Sequence, residues 1–220
     1  MKADLLSSRV CQRLASESGV ALLHVVLLMT LVTAVAAGAA TLARTEVLVS
    51  RYHHDERGAA YAAQAMLAAA LQELDRGPQW NDVLTGARIA AFADGSLTAP
   101  RQIPGGGTVL ICCGPGTPTG RLRTETGLAW QPFAWQSLSR LLNLGEAPRY
   151  YLIAWVVDDP ADGDGDPLAD SNDRILVRAE AVTPLGVRKA VEATMERAPP
   201  DPVSGEYAPG LRFLTWREPD

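Results

Sequence analysis

The sequence predicts an α+β protein in which one long N-terminal helix precedes a small antiparallel β-sheet and packs on it. Three observations predict this. Residues 20–43 form an apolar run without Asp, Glu, Lys or Arg. Residues 44–76 continue it with helical periodicity and no proline. The last third of the chain holds three strand-like segments, two of them joined by a tight turn.

Taken in order, residues 1–19 are a short polar leader carrying Lys2, Arg9 and Arg13. Residues 20–43 follow as VALLHVVLLMTLVTAVAAGAATLA, with His24 the only titratable side chain. About 20 apolar residues, rising ~1.5 Å each, suffice to cross the ~30 Å hydrocarbon layer of a bilayer as a helix. The basic leader is expected to stay on the cytoplasmic side, so that the bulk of the chain behind the run is translocated, as a membrane-inserted or exported protein.

Residues 44–76 read as an amphipathic continuation of the same helix. Leu48, Tyr52, Ala59, Ala63, Met66, Ala70 and Leu74 recur at steps of three, four and seven, and Gly77-Pro78 supplies the stop. Gly38 and Gly58 are its weak points, each costing about 1 kcal/mol relative to alanine. Residues 77–197 then form the globular α+β domain. Thr108 to Cys113 is a short apolar strand between Gly/Pro turns, and Pro132 to Leu144 has the spacing of a short helix, with Trp135, Leu138, Leu141 and Leu142 on one side. Tyr150 to Asp159 is a continuous apolar run suited to a central strand. Arg174 to Val182 and Val187 to Glu196 alternate, joined by the turn Thr183-Pro184-Leu185-Gly186. Residues 198–220 read as a proline-rich tail whose Phe213, Leu214 and Trp216 can dock back.

A net charge of −5 argues against a nucleic-acid partner, which needs a basic face. Cys112 and Cys113 are adjacent; they read either as two residues of a buried strand or as a strained bridge.

Two stretches carry a resemblance. Ser18-Gly19-Val20-Ala21-Leu22-Leu23 resembles a prepilin peptidase junction, a basic leader ending in Gly directly before an apolar run. Ala60-Tyr61-Ala62-Ala63-Gln64-Ala65-Met66-Leu67 resembles the AFxAAEAAL stretch of PilX-type minor pilins, with Tyr61 at the aromatic position and Gln64 where the family usually has Glu. The likeness covers residues 18–74, a third of the chain. It implies a pilin-like fold, cleavage between Gly19 and Val20, and partners that are other pilin-like subunits, contacted through the N-terminal helix. It also implies residence in the inner membrane with the domain in the periplasm, followed by entry into a pilus-like filament. One position departs: major pilins carry Glu at the fifth place after the cleavage site, and this chain has His24. A neutral imidazole there can accept a hydrogen bond from a neighbouring subunit's amine; the plainer alternative is a tolerated polar residue near the interface. The departure points to a low-copy minor subunit. A GspK-like pseudopilin of a type II secretion system fits the same features. So does a secreted protein cleaved after the A-x-A pattern Ala37-Gly38-Ala39, or an uncleaved single-span binding protein.

One constellation suggests a cation. Asp162, Asp164, Asp166, Asp170 and Asp173 occupy positions one, three, five, nine and twelve of a calcium-loop pattern. Pro167 replaces the loop glycine and Asp173 the final Glu, so calcium and a solvated acidic turn both remain as readings. His53-His54-Asp55-Glu56 lacks the i, i+4 spacing of a helical metal site and reads as a solvated helix face. With no GxSxG or HExxH motif, and glycine-rich stretches that lack a phosphate-loop frame, the expected role is structural and non-catalytic.

Overall fold

The computed structural model describes residues 4–77, 79–103, 105–112, 127, 129–144, 149–198 and 210–219, with backbone alone for 4–18. Helix α1 runs Asp4–Asp75, and the chain divides into two compact units, Met1–His53 and His54–Asp220. In the first unit every described side chain, from Gly19 onward, is exposed. The hydroxyls of Thr30, Thr33, Thr41 and Thr45 donate to carbonyls three or four residues back, at 2.7 to 3.1 Å. They present no unsatisfied donor outward, as an apolar solvent requires.

The second unit is an α+β domain. Its main sheet has five antiparallel strands in sequential order: β3 (Gln131–Ser137), β4 (Tyr151–Asp158), β5 (Arg174–Val182), β6 (Arg188–Arg197) and β7 (Leu211–Arg217). Two short strands, β1 (Arg101–Gln102) and β2 (Thr108–Val109), pair separately. One face of the sheet packs on α1. Ala59, Ala62, Ala63, Met66, Ala70 and Leu74 form one core there with Leu152, Ala154 and Val156 of β4 and Ile175, Val177, Val191 and Met195 of the next strands. The many alanines let the helix backbone lie close to the sheet. Gly58 does the same for Tyr150, whose hydroxyl would stand 2.1 Å from a Cβ at that position.

The opposite face of the sheet carries a second core, in which Tyr151, Ile153, Trp155 and Val157 meet Ile103, Val109, Ile111, Trp130 and Trp135. Strand β4 is thus buried on both sides. This accounts for its unbroken apolar run, although antiparallel strands more often alternate. Toward β7 the second face turns polar. Glu192 accepts from Arg178 (2.5 Å) and Arg217 (2.9 Å), and Glu196 accepts from Arg174 (2.7 Å) and Arg212.

Three sequence expectations change. Residues 132–137 are strand, not helix; only a four-residue helix (Leu138–Leu141) follows. Pro132 sits where a bulge interrupts the β3–β4 register, which is how a strand admits a residue without an N–H. Segment 90–94 covers the free edge of β3, with Ala90 N–H donating to Phe133 O at 2.9 Å and Asp94 N–H to Trp135 O at 2.8 Å. The strand expected at 108–113 shrinks to Thr108–Val109, and Cys113 lies outside the described residues. Finally, Leu211–Arg217 extends the sheet as edge strand β7, rather than trailing as a tail; residues 199–209 lie outside the described residues. The turn at Thr183–Gly186 forms as expected, with Gly186 at φ 79° and Thr183 N–H donating to Val187 O at 2.9 Å.

The end of α1 is closed by side chains. Its last carbonyls cannot be satisfied within the helix. Arg88 Nη2 donates to Glu73 O (2.9 Å), Trp80 Nε1 to Leu74 O (3.4 Å) and Arg197 Nη2 to Gly77 O (3.1 Å). The Arg197 guanidinium also lies 4.3 Å from the centroid of the Trp80 ring.

Candidate functional site

Two regions hold the residues singled out above. The first is the apolar part of α1. Among the described residues one helix is long and apolar enough to cross a membrane, and it contains Gly19, Val20 and His24. Leu22, Leu23, Leu27, Leu28, Leu31, Val32 and Val35 are all more than half exposed. Water is a poor solvent for that much contiguous apolar surface, which marks it for lipid or for other helices. The ring of His24 donates from Nδ1 to Val20 O at 2.8 Å, in the tautomer that makes this bond, which leaves Nε2 as an acceptor.

The second region is the loop from β4 to β5. Asp158 ends β4 and is 3% exposed, yet its Oδ1 has no hydrogen-bond partner. One carboxylate oxygen from each of Asp158, Asp162 and Asp164 lies within 4.8 Å of the other two. The rest of the loop is folded by its own acids acting as hydrogen-bond acceptors. Asp162 takes the Ser171 N–H (2.8 Å) and hydroxyl (2.5 Å), Asp164 the Asp166 N–H (2.9 Å), Asp166 the Leu168 N–H (3.0 Å) and Asp170 the Arg174 N–H (3.1 Å). Asp173 adopts φ 59°, and its carbonyl accepts from Arg197 N–H at 2.9 Å. Of the five expected ligands, the structure gathers Asp162 and Asp164; Asp166, Asp170 and Asp173 stand outside that group. Asp158 takes part instead. Its signal in the sequence was an acid closing an apolar strand, which spacing alone does not separate from its neighbour Asp159.

Burial pushes the Asp158 carboxyl up to about 7; the Asp159 backbone opposes this, while the charges of Asp162, Asp170 and Asp164 add to it. The Ser171 hydroxyl, then its backbone N–H, hold Asp162 below the usual carboxylate range. A carboxyl whose folded pKa is raised lends stability that is complete below its unfolded value near 3.8 and is lost as pH rises through about 7. In chelated buffer the protein should therefore melt about 3 °C higher at pH 6 than at pH 8. Scanning calorimetry on Asp158→Asn should show that difference flattened; the same slope in both proteins would contradict the assignment.

Cys112 is disulfide-bonded, against the plainer reading of two reduced strand cysteines. The His53-His54-Asp55-Glu56 stretch contributes no metal cluster among the described residues, and Glu56 forms an ion pair with Lys189 at 2.7 Å. Compared with known proteins, the chain matches no family model, no curated protein and no solved structure.

Proposed function

We propose that this chain is a minor pilin-like structural subunit, non-catalytic, that takes part in assembling or initiating a type IV pilus-like filament. The supporting observation is the pair of surfaces on α1. From Val20 to Ala43 the helix is uncharged and exposed on all sides, whereas from Ala59 to Leu74 it buries one face against an antiparallel sheet. The first segment suits a bilayer before assembly and a bundle of related helices afterwards. The small residues Ala36, Ala37, Gly38, Ala39 and Ala40 allow the close backbone approach that such bundles use. Prepilin peptidase would cut between Gly19 and Val20. The new amine of Val20 in one subunit could then be met by the free Nε2 of His24 in another, a neutral acceptor where other subunits offer a carboxylate.

The reading is tested by fractionation of cells with and without prepilin peptidase. With the peptidase, part of the protein should appear in filaments sheared from the cell surface; without it, all should stay in the inner membrane. Equal distribution in both strains would refute the proposal.

A further inference from the structure

We propose that Asp158, Asp162 and Asp164 form a calcium site that ties the end of β4 to the loop leading into β5. The geometry is that of a hard-cation cradle. Three carboxylate oxygens lie mutually within 4.8 Å. A point between atoms so spaced is no more than about 2.8 Å from each, within a small closure of the 2.3–2.6 Å calcium–oxygen distance. Magnesium demands shorter bonds and a stricter octahedron, which three acids on one strand end and a loop do not supply.

A cluster of acids alone would be a solvated turn. The second observation is Asp158 itself. It is buried to 3% exposure, aimed into the cluster and left with an unpartnered Oδ1. A buried carboxylate oxygen without a donor is costly and calls for a partner. Residues 158–173 contain no Lys or Arg, and the guanidinium of Arg174 is committed to Glu196 at 2.9 and 2.7 Å. Asp162 and Asp164 are already oriented by Ser171 and Asp166, so little of the loop has to be ordered on binding. Calcium takes six to eight oxygens, and the three carboxylates, mono- or bidentate, supply about half, leaving the remainder to water and backbone carbonyls.

The test uses the full chain in detergent, stripped with chelator and then titrated while its melting is followed by intrinsic fluorescence. Calcium at 1 mM is expected to raise Tm by about 5 °C, and magnesium at the same concentration by much less. Asp164→Asn, an exposed position that leaves the core intact, should weaken calcium binding at least about tenfold. Asp158→Asn should abolish the shift, while Asp166→Asn and Asp173→Asn keep it. An absent shift in the wild type, an equal shift with magnesium, or an undiminished shift in Asp164→Asn would each overturn the proposal. Loss of the shift in Asp166→Asn as complete as in Asp164→Asn would overturn the assigned ligands.

Discussion

Replacing Leu28 and Val35 together by aspartate is expected to release the protein from the membrane. The eleven Leu and Val residues between Val20 and Leu42 each favour insertion by about 0.3–0.6 kcal/mol, or roughly 3–7 kcal/mol together. Each aspartate near the middle of the span costs about 2.5–3.5 kcal/mol, so two offset most of that gain. The measurement is the fraction of protein that stays in the membrane pellet after alkaline carbonate extraction. Leu48→Asp is the control: it is as exposed as Leu28 (64% against 63%) but lies beyond the apolar run. It should leave the pellet fraction unchanged. If the double variant stayed in the pellet, residues 20–43 would not be the anchor.

The second large effect is expected at Trp80. This side chain is 1% exposed, packs in the helix–sheet core, closes the end of α1 through Leu74 O and shields the guanidinium of Arg197. Trp80→Ala removes the ring and leaves Arg197 beside a cavity, a loss of about 3–5 kcal/mol. For a domain of this size, that corresponds to a fall in Tm of at least about 6 °C, read by calorimetry. Trp216→Ala should change stability by less than about 0.5 kcal/mol, since that ring is half exposed on the edge strand. Similar losses at both tryptophans would mean that Trp80 does not hold the helix to the sheet.

How much of this was legible beforehand depended on how regularly each element repeats. The helix over 44–76 was legible because Ala59, Ala63, Met66, Ala70 and Leu74 mark one face at helical spacing, and all five are buried, whereas Leu48 and Tyr52, placed on the same face by spacing, are exposed. Strands β5 and β6 were legible because their alternation survives in the structure, with Ile175, Val177 and Val191 turned to the helix and Arg178 and Glu192 to the other side. Strand β3 was misread. Its four consecutive buried residues, Pro132 to Trp135, show neither period, because both faces of the strand are covered there. Strand β7 was hidden for the opposite reason: Phe213, Leu214 and Trp216 are exposed, and a proline-rich stretch separates them from β6.

At the acidic loop, spacing singled out Asp162 and Asp164, two of the three carboxylates that the fold brings within 4.8 Å of one another, but not Asp158. A ligand pattern read along one loop does not register an oxygen delivered from the end of a strand. Trp80 carried no signal for its role at the helix terminus, since that depends on Arg197, 117 residues away in the chain.

The apolar segment of α1 is held to serve first as anchor and then as packing surface, which requires that it remain on the mature protein. N-terminal sequencing of protein recovered from the membrane and from sheared filaments tests this most directly. A mature chain that begins at Val20 is the predicted result. One that begins at Ala40 would have lost both anchor and packing surface, and would contradict the account.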